Sequence, residues 1–148
     1  MTNEEIKIIK RTWRSLQGLD AALLGDVFYS RLFLDEPSLK KMFRISQEQQ
    51  AKKLIDMLDQ IVKRLDRLGE LSDEIKAMAN RHVGYGVKPK HYDQVGKALL
   101  WTLEKGLGKD WKPEVAAAWT KCYSILAGAM MGKEVSKNSA IFTSQVFF

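Results

Sequence analysis

The sequence predicts an all-α protein, and three observations carry that expectation. Apolar residues recur at helical period along nearly the whole chain. Capping residues, prolines and glycines fall between the periodic segments, where helix ends belong. No strand or hairpin pattern appears before the last dozen residues. The elements follow in order. Thr2 with Glu5 makes a capping box, and Ile6, Ile9, Trp13 and Leu16 follow at helical spacing until Gly18. Asp20 is placed to cap a second helix carrying Leu24, Val27, Phe28 and Phe33. Pro37 suits the first turn of a short third helix ending near Met42 and Phe43. Ser46 with Gln49 repeats the capping box, and Leu54, Ile55, Leu58, Ile61, Val62 and Leu65 follow until Gly69. Ser72 is expected to cap a short helix with Ile75, Met78, Ala79 and His82 on one face, broken by Gly84 and Gly86. Pro89 opens a helix carrying Tyr92, Val95, Leu99 and Leu103, ending at Gly106 and Gly108. Pro113 opens the last, with Val115, Trp119, Cys122, Leu126, Ala129 and Met130. The sum is about seven helices with short connections.

At 148 residues the chain fits one domain. With 45% hydrophobic and 28% charged residues it is neither disordered nor membrane-like in composition. One cysteine excludes an internal disulfide and a cysteine-rich zinc site, and two histidines leave little room for a multi-histidine metal site. No apolar run approaches the roughly 18 residues of a membrane span. Met1 to Glu5 is polar and acidic, so no signal peptide is expected. The expected setting is the cytoplasm, with Cys122 a small core residue. The net charge of +6 raises the question of nucleic acid. Its lysines and arginines are scattered, with no block of five or six, so no nucleic-acid role is expected. The domain is expected to span 1–136. A tail, 137–148, carries Ile141, Phe142, Val146, Phe147 and Phe148 and is expected to pack on its own domain or on a second subunit. Monomer and homodimer both stay open.

His82 stands out. Taken alone, it reads as a buried histidine satisfied by a carbonyl. Its surroundings offer a second reading. The helix ends just after it, and Phe28, Phe43, Leu54, Val87, Val95 and Leu99 supply large apolar side chains on both sides. A neutral imidazole facing an apolar slot is what the iron of a haem takes as its axial ligand.

These residues carry a resemblance. The stretch from Arg81 through His82, Val83, Gly84, Tyr85, Gly86 and Val87 to Tyr92 resembles the proximal histidine region of bacterial single-domain globins and flavohaemoglobins, the Vitreoscilla-type lineage, with local similarity to neuroglobin. Phe28-Tyr29-Ser30-Arg31-Leu32-Phe33, Pro37 and Met42-Phe43 resemble the preceding globin segments, and Val95-Gly96, Leu99-Leu100, Ala118-Trp119 and Tyr123 continue the match. It covers roughly Glu4 to Val135.

The resemblance implies a globin fold around a haem b (iron protoporphyrin IX) pocket. His82 matches the iron ligand, and Phe43 the phenylalanine stacked on the porphyrin, which is also plain core packing. Tyr29 and Gln50 match distal hydrogen-bond donors to a gas ligand. For Gln50 a solvated place in the first helical turn stays open. Leu54 matches the apolar residue over the iron, and Phe28, Met78, Val87, Val95 and Leu99 the pocket walls. Tyr92 and Glu134 match a tyrosine and glutamate that hydrogen-bond around the ligand histidine and make it electron-rich. A surface place for Glu134 stays open. Lys53 and Arg81 are candidates for the haem propionates, or exposed helical charges. His91 cannot reach the opposite haem face and is expected to be exposed at a helix start. Ala51 stands where Vitreoscilla-type globins often have proline, which lets that helix begin regularly. The implied function is reversible binding of dioxygen, nitric oxide and carbon monoxide, with oxidation of nitric oxide to nitrate as a further activity. No flavin or nicotinamide segment lies in these residues, so an external electron-donor reductase is expected, docked through the lysines of 40–53. The alternative is a gas sensor or oxygen-delivery protein without turnover.

Overall fold

The computed structural model describes residues 1–43, 45–67, 72–84 and 87–131. Within them the chain forms six α-helices: α1 (Asn3–Leu16), α2 (Ala21–Asp35), α3 (Gln47–Lys63), α4 (Ser72–Gly84), α5 (Pro89–Leu107) and α6 (Pro113–Met130). Short 3-10 segments at Pro37–Met42, Leu65–Arg67 and Gly108–Asp110 join some of them, and no strand occurs among the described residues. With the Pro37–Met42 segment, the expected count of about seven stands.

Local chemistry sets most helix starts. Both capping boxes form. Glu5 N–H donates to Thr2 Oγ1 at 3.1 Å while Thr2 N–H donates to Glu5 Oε1 at 2.8 Å. Ser46 and Gln49 repeat the exchange at the start of α3. Asp20 caps α2 by accepting from Ala22 N–H at 2.9 Å. Pro89 and Pro113 open α5 and α6, where a missing N–H costs nothing. Two boundaries differ from expectation. Ser72 lies inside α4 rather than ahead of it. Gly106 lies inside α5, because the helix runs on to Leu107 and turns at Gly108, whose φ of 54° suits glycine. Gly106 faces Leu16, and a Cβ there would lie 2.6 Å from its Cδ2. The expected stop at Gly69 and the break at Gly86 fall outside the described residues.

The core is built around α2, which packs on α3 and α5. Phe28, Tyr29 and Leu32 on α2 are completely buried. The crossing with α3 is close because Gly25 has no side chain. A Cβ on Gly25 would lie 2.7 Å from the Ala51 Cα, inside any real contact. Proline is thus absent from a position that α2 already crowds. At the other end α1 and α6 close the molecule. Trp119 Nε1–H donates to Thr12 Oγ1 at 2.9 Å, and the rings of Trp13 and Trp119 sit 6.1 Å apart. Trp13 and Gln17 both donate to Asp59 of α3, at 3.1 and 2.7 Å.

Candidate functional site

His82 lies one turn after Met78 on α4, and both side chains are completely buried. His82 Nδ1 sits 2.8 Å from the Met78 carbonyl oxygen. A carbonyl only accepts, so Nδ1 carries the proton and Nε2 the lone pair. Burial pushes the imidazole pKa down, the Met78 bond opposes this, and the Arg81 charge adds to the lowering. The ring is therefore held neutral, the form that can coordinate a metal. The local reading of His82 as satisfied by a carbonyl holds, and it leaves the reading as a ligand compatible through the other ring nitrogen.

Across the core, Tyr29 and Gln50 meet. Tyr29 is completely buried, Gln50 is 1% exposed, and their side chains are hydrogen-bonded. The solvated place that stayed open for Gln50 is not the one it takes. Burial pushes the Tyr29 phenol far up, against a smaller lowering by Gln50, so its hydroxyl stays protonated. Aromatic rings surround it. Phe28 stands edge-on at 4.7 Å between centroids and Phe43 edge-on at 5.3 Å, with Phe33 at 5.9 Å. Phe33 and Phe43 also pack edge to face at 5.1 Å. The Gly25–Ala51 approach explains the pairing. It lies one turn before Tyr29 on α2 and next to Gln50 on α3, so the two donors are carried together by a tight crossing.

The expected apolar wall residues Leu54, Met78, Val87, Val95 and Leu99 are all buried. Lys53 is half-buried on α3. Arg81 is half-buried, and its Nε and Nη2 atoms are shielded from solvent with no protein partner among the described residues. Tyr92 is buried, and its phenol pKa is pushed up to about 12 by desolvation. It lines a cleft of about 360 Å³ with Ala79, Asn80 and Val83 of α4 and Met130 of α6, so it faces the helix that carries His82. Glu134 and the tail 137–148 lie outside the described residues. Among the described residues, His82 Nδ1 donates to the Met78 carbonyl.

Two features escaped sequence reasoning. Tyr123 Oη–H donates to the Tyr92 carbonyl at 2.6 Å, and its ring lies on Gly96, where a Cβ would come within 2.7 Å of Cε2. The glycine inside a helical pattern was the available signal. His91 was expected to be exposed and is 6% exposed. It turns back along its own helix, and Lys88 N–H donates to its Nδ1 at 2.8 Å.

These residues fit a haem. A buried neutral imidazole supplies an axial nitrogen, the walls are apolar, and the shielded Arg81 guanidinium suits a propionate carboxylate. Fold and site together define a haem-binding, all-α protein. The chain belongs to the globin family: the Globin family model matches residues 26–130. It is similar to a flavohemoprotein of Bacillus subtilis, 31% identical over 137 residues that cover 90% of this chain and 34% of the relative. It is also similar to an uncharacterized globin-like protein of Aquifex aeolicus, 33% identical over 134 residues, 90% of this chain and 94% of the relative. Neuroglobin-1 of Oncorhynchus mykiss is 28% identical over 144 residues, 88% and 90% of the two chains. The chain spans about a third of the length of the flavohemoproteins it matches. As a globin, it takes haem as its cofactor and small gas molecules as its ligands.

Proposed function

We propose that this globin converts nitric oxide and dioxygen to nitrate, drawing one electron per turnover from a separate reductase. The balance is one nitric oxide, one dioxygen and one electron giving one nitrate. Haem, when bound, supplies the metal that coordinates a diatomic gas and accepts that electron. The chain's own residues do the rest. His82 Nε2 would be the nitrogen that holds the iron, its ring oriented by the Met78 carbonyl. Tyr29 offers a neutral O–H and Gln50 an amide N–H₂ in a pocket without bulk water. Such donors favour a gas ligand that takes up negative charge over one that does not. Lys53 and Arg81 are the candidates to hold the propionates.

The observation that carries this reading is the hydrogen-bonded Tyr29–Gln50 pair, two polar side chains buried together in the aromatic core. The likeness to two flavohemoproteins supports it. Mixing the oxygenated protein with nitric oxide tests it. One nitrate per haem is expected, formed faster than dioxygen leaves on its own. Simple ligand exchange without nitrate would favour a sensor or delivery protein.

A further inference from the structure

We propose that His91 is a positioning residue: by capping α5 it fixes the corner that sets Val87 beside His82. The inference rests on His82 as the haem ligand. Three hydrogen bonds hold the described residues where α4 gives way to α5. Val87 N–H donates to the His82 carbonyl at 3.1 Å, tying the corner to the ligand residue itself. Lys88 and His91 exchange two bonds. Lys88 N–H donates to His91 Nδ1 at 2.8 Å, and His91 N–H donates to the Lys88 carbonyl at 2.9 Å. This is a capping exchange with histidine where glutamate or glutamine is usual. Lysine has no side-chain acceptor and Pro89 has no N–H, so the imidazole is what satisfies the Lys88 donor.

The cap works in one protonation state. With Nδ1 accepting, the proton sits on Nε2, and a second proton would remove the acceptor. Among the described residues, the charges around His91 are the Lys88 and Lys90 ammoniums on its own segment and the Glu36 carboxylate at the end of α2. Glu36 is occupied on both oxygens, by Ser38 Oγ at 2.6 Å and by Gln94 Nε2 at 2.8 Å. Gln94 thereby anchors the first turns of α5 to α2, and His91 sets the residues just before them. Val87 is 9% exposed and is one of the apolar wall residues, so a corner that loosens moves a pocket wall and the His82 carbonyl together.

Glutamine keeps an acceptor at every pH, and alanine has none. The test compares wild type, His91→Gln and His91→Ala in the haem-loaded ferrous carbon monoxide form. Amide exchange at Lys88 and haem transfer to excess apomyoglobin are followed from pH 7.5 to pH 5.5. The Lys88 amide is expected to be protected at both ends of the range in His91→Gln, unprotected throughout in His91→Ala, and to lose protection on acidification in wild type. Haem transfer at pH 7.5 is expected to be about tenfold faster in His91→Ala and near wild type in His91→Gln. A protected Lys88 amide in His91→Ala overturns the proposal, as does lost protection with unchanged haem transfer. If His91→Ala does not fold, a wild-type loss of Lys88 protection that His91→Gln abolishes supports the proposal, and identical pH profiles overturn it. Haem retained by His82→Ala would instead remove the ligand reading, while the Lys88 amide still reports on the cap.

Discussion

Tyr29 is a phenol that burial keeps protonated where it stands, and its proposed role as a donor follows from that. Burial holds its proton, and Gln50 aligns its oxygen. Replacing Tyr29 with Phe keeps the ring packing against Phe28 and Phe43 and removes only the donor. Dioxygen is then expected to dissociate about tenfold faster or more, as flash photolysis or stopped-flow mixing would show. An unchanged rate means the hydroxyl does not reach the ligand. The two histidines make a second prediction at this scale. Both have pKa values lowered first by burial, so both take up protons less readily in the fold than in the unfolded chain. Well above about pH 6.5 neither state gains a proton at these sites. As pH falls below that value the unfolded chain binds more protons than the fold does, and stability declines. The urea midpoint of the haem-free protein is therefore expected to drop between pH 7.5 and 5.5, and a His91→Gln variant to drop less. His82 was legible because a lone histidine near a helix end, among large apolar residues, has few roles. The burial of His91 was not, because it comes from a side chain turning back on Lys88 and from an α2 terminus far away in sequence.

Among the elements, the α2–α3 crossing governs the site. Gly25 and Ala51 let two backbones approach, and that approach brings Tyr29 and Gln50 together. Gly25→Ala puts a methyl against backbone that cannot rotate away, so the helices must separate. A loss of about 1–3 kcal/mol is expected in urea unfolding, with faster dioxygen release because the donors part. Helix starts were readable because capping is local: Thr2 with Glu5 and Ser46 with Gln49 satisfy their own ends within four residues. The crossing was not readable, since nothing near Gly25 names the residue it meets. Gly106 was misplaced for the same reason: its partner Leu16 is on α1.

At the scale of the whole molecule, charge and closure each have a consequence. The described ion pairs are Lys10–Asp66, Arg31–Asp35, Lys63–Asp59 and Lys121–Glu5. None involves Lys40, Lys41, Lys52 or Lys53, so these cations remain available to an acidic partner. Reduction by an acidic reductase is expected to slow as ionic strength rises from 50 to 500 mM, by roughly the screening of a few charge pairs. A flat profile would remove this docking surface. The all-α class and element order were legible because helical period and capping repeat along the chain, whereas the joining of its ends was not.

That joining has a kinetic meaning. Thr12 and Trp119 are 107 positions apart, and their bond forms only when the first and last helices have both docked. Closing so long a loop costs entropy, and this contact is expected to form after the folding transition state. Thr12→Val, which keeps the shape and deletes the hydroxyl, is expected to speed unfolding while leaving the folding rate nearly unchanged. Stopped-flow tryptophan fluorescence would read both limbs, with the neighbouring Trp13 and Trp119 rings as the reporters. The seam between the two chain ends would then set how long a folded molecule lasts, and not how quickly it is made.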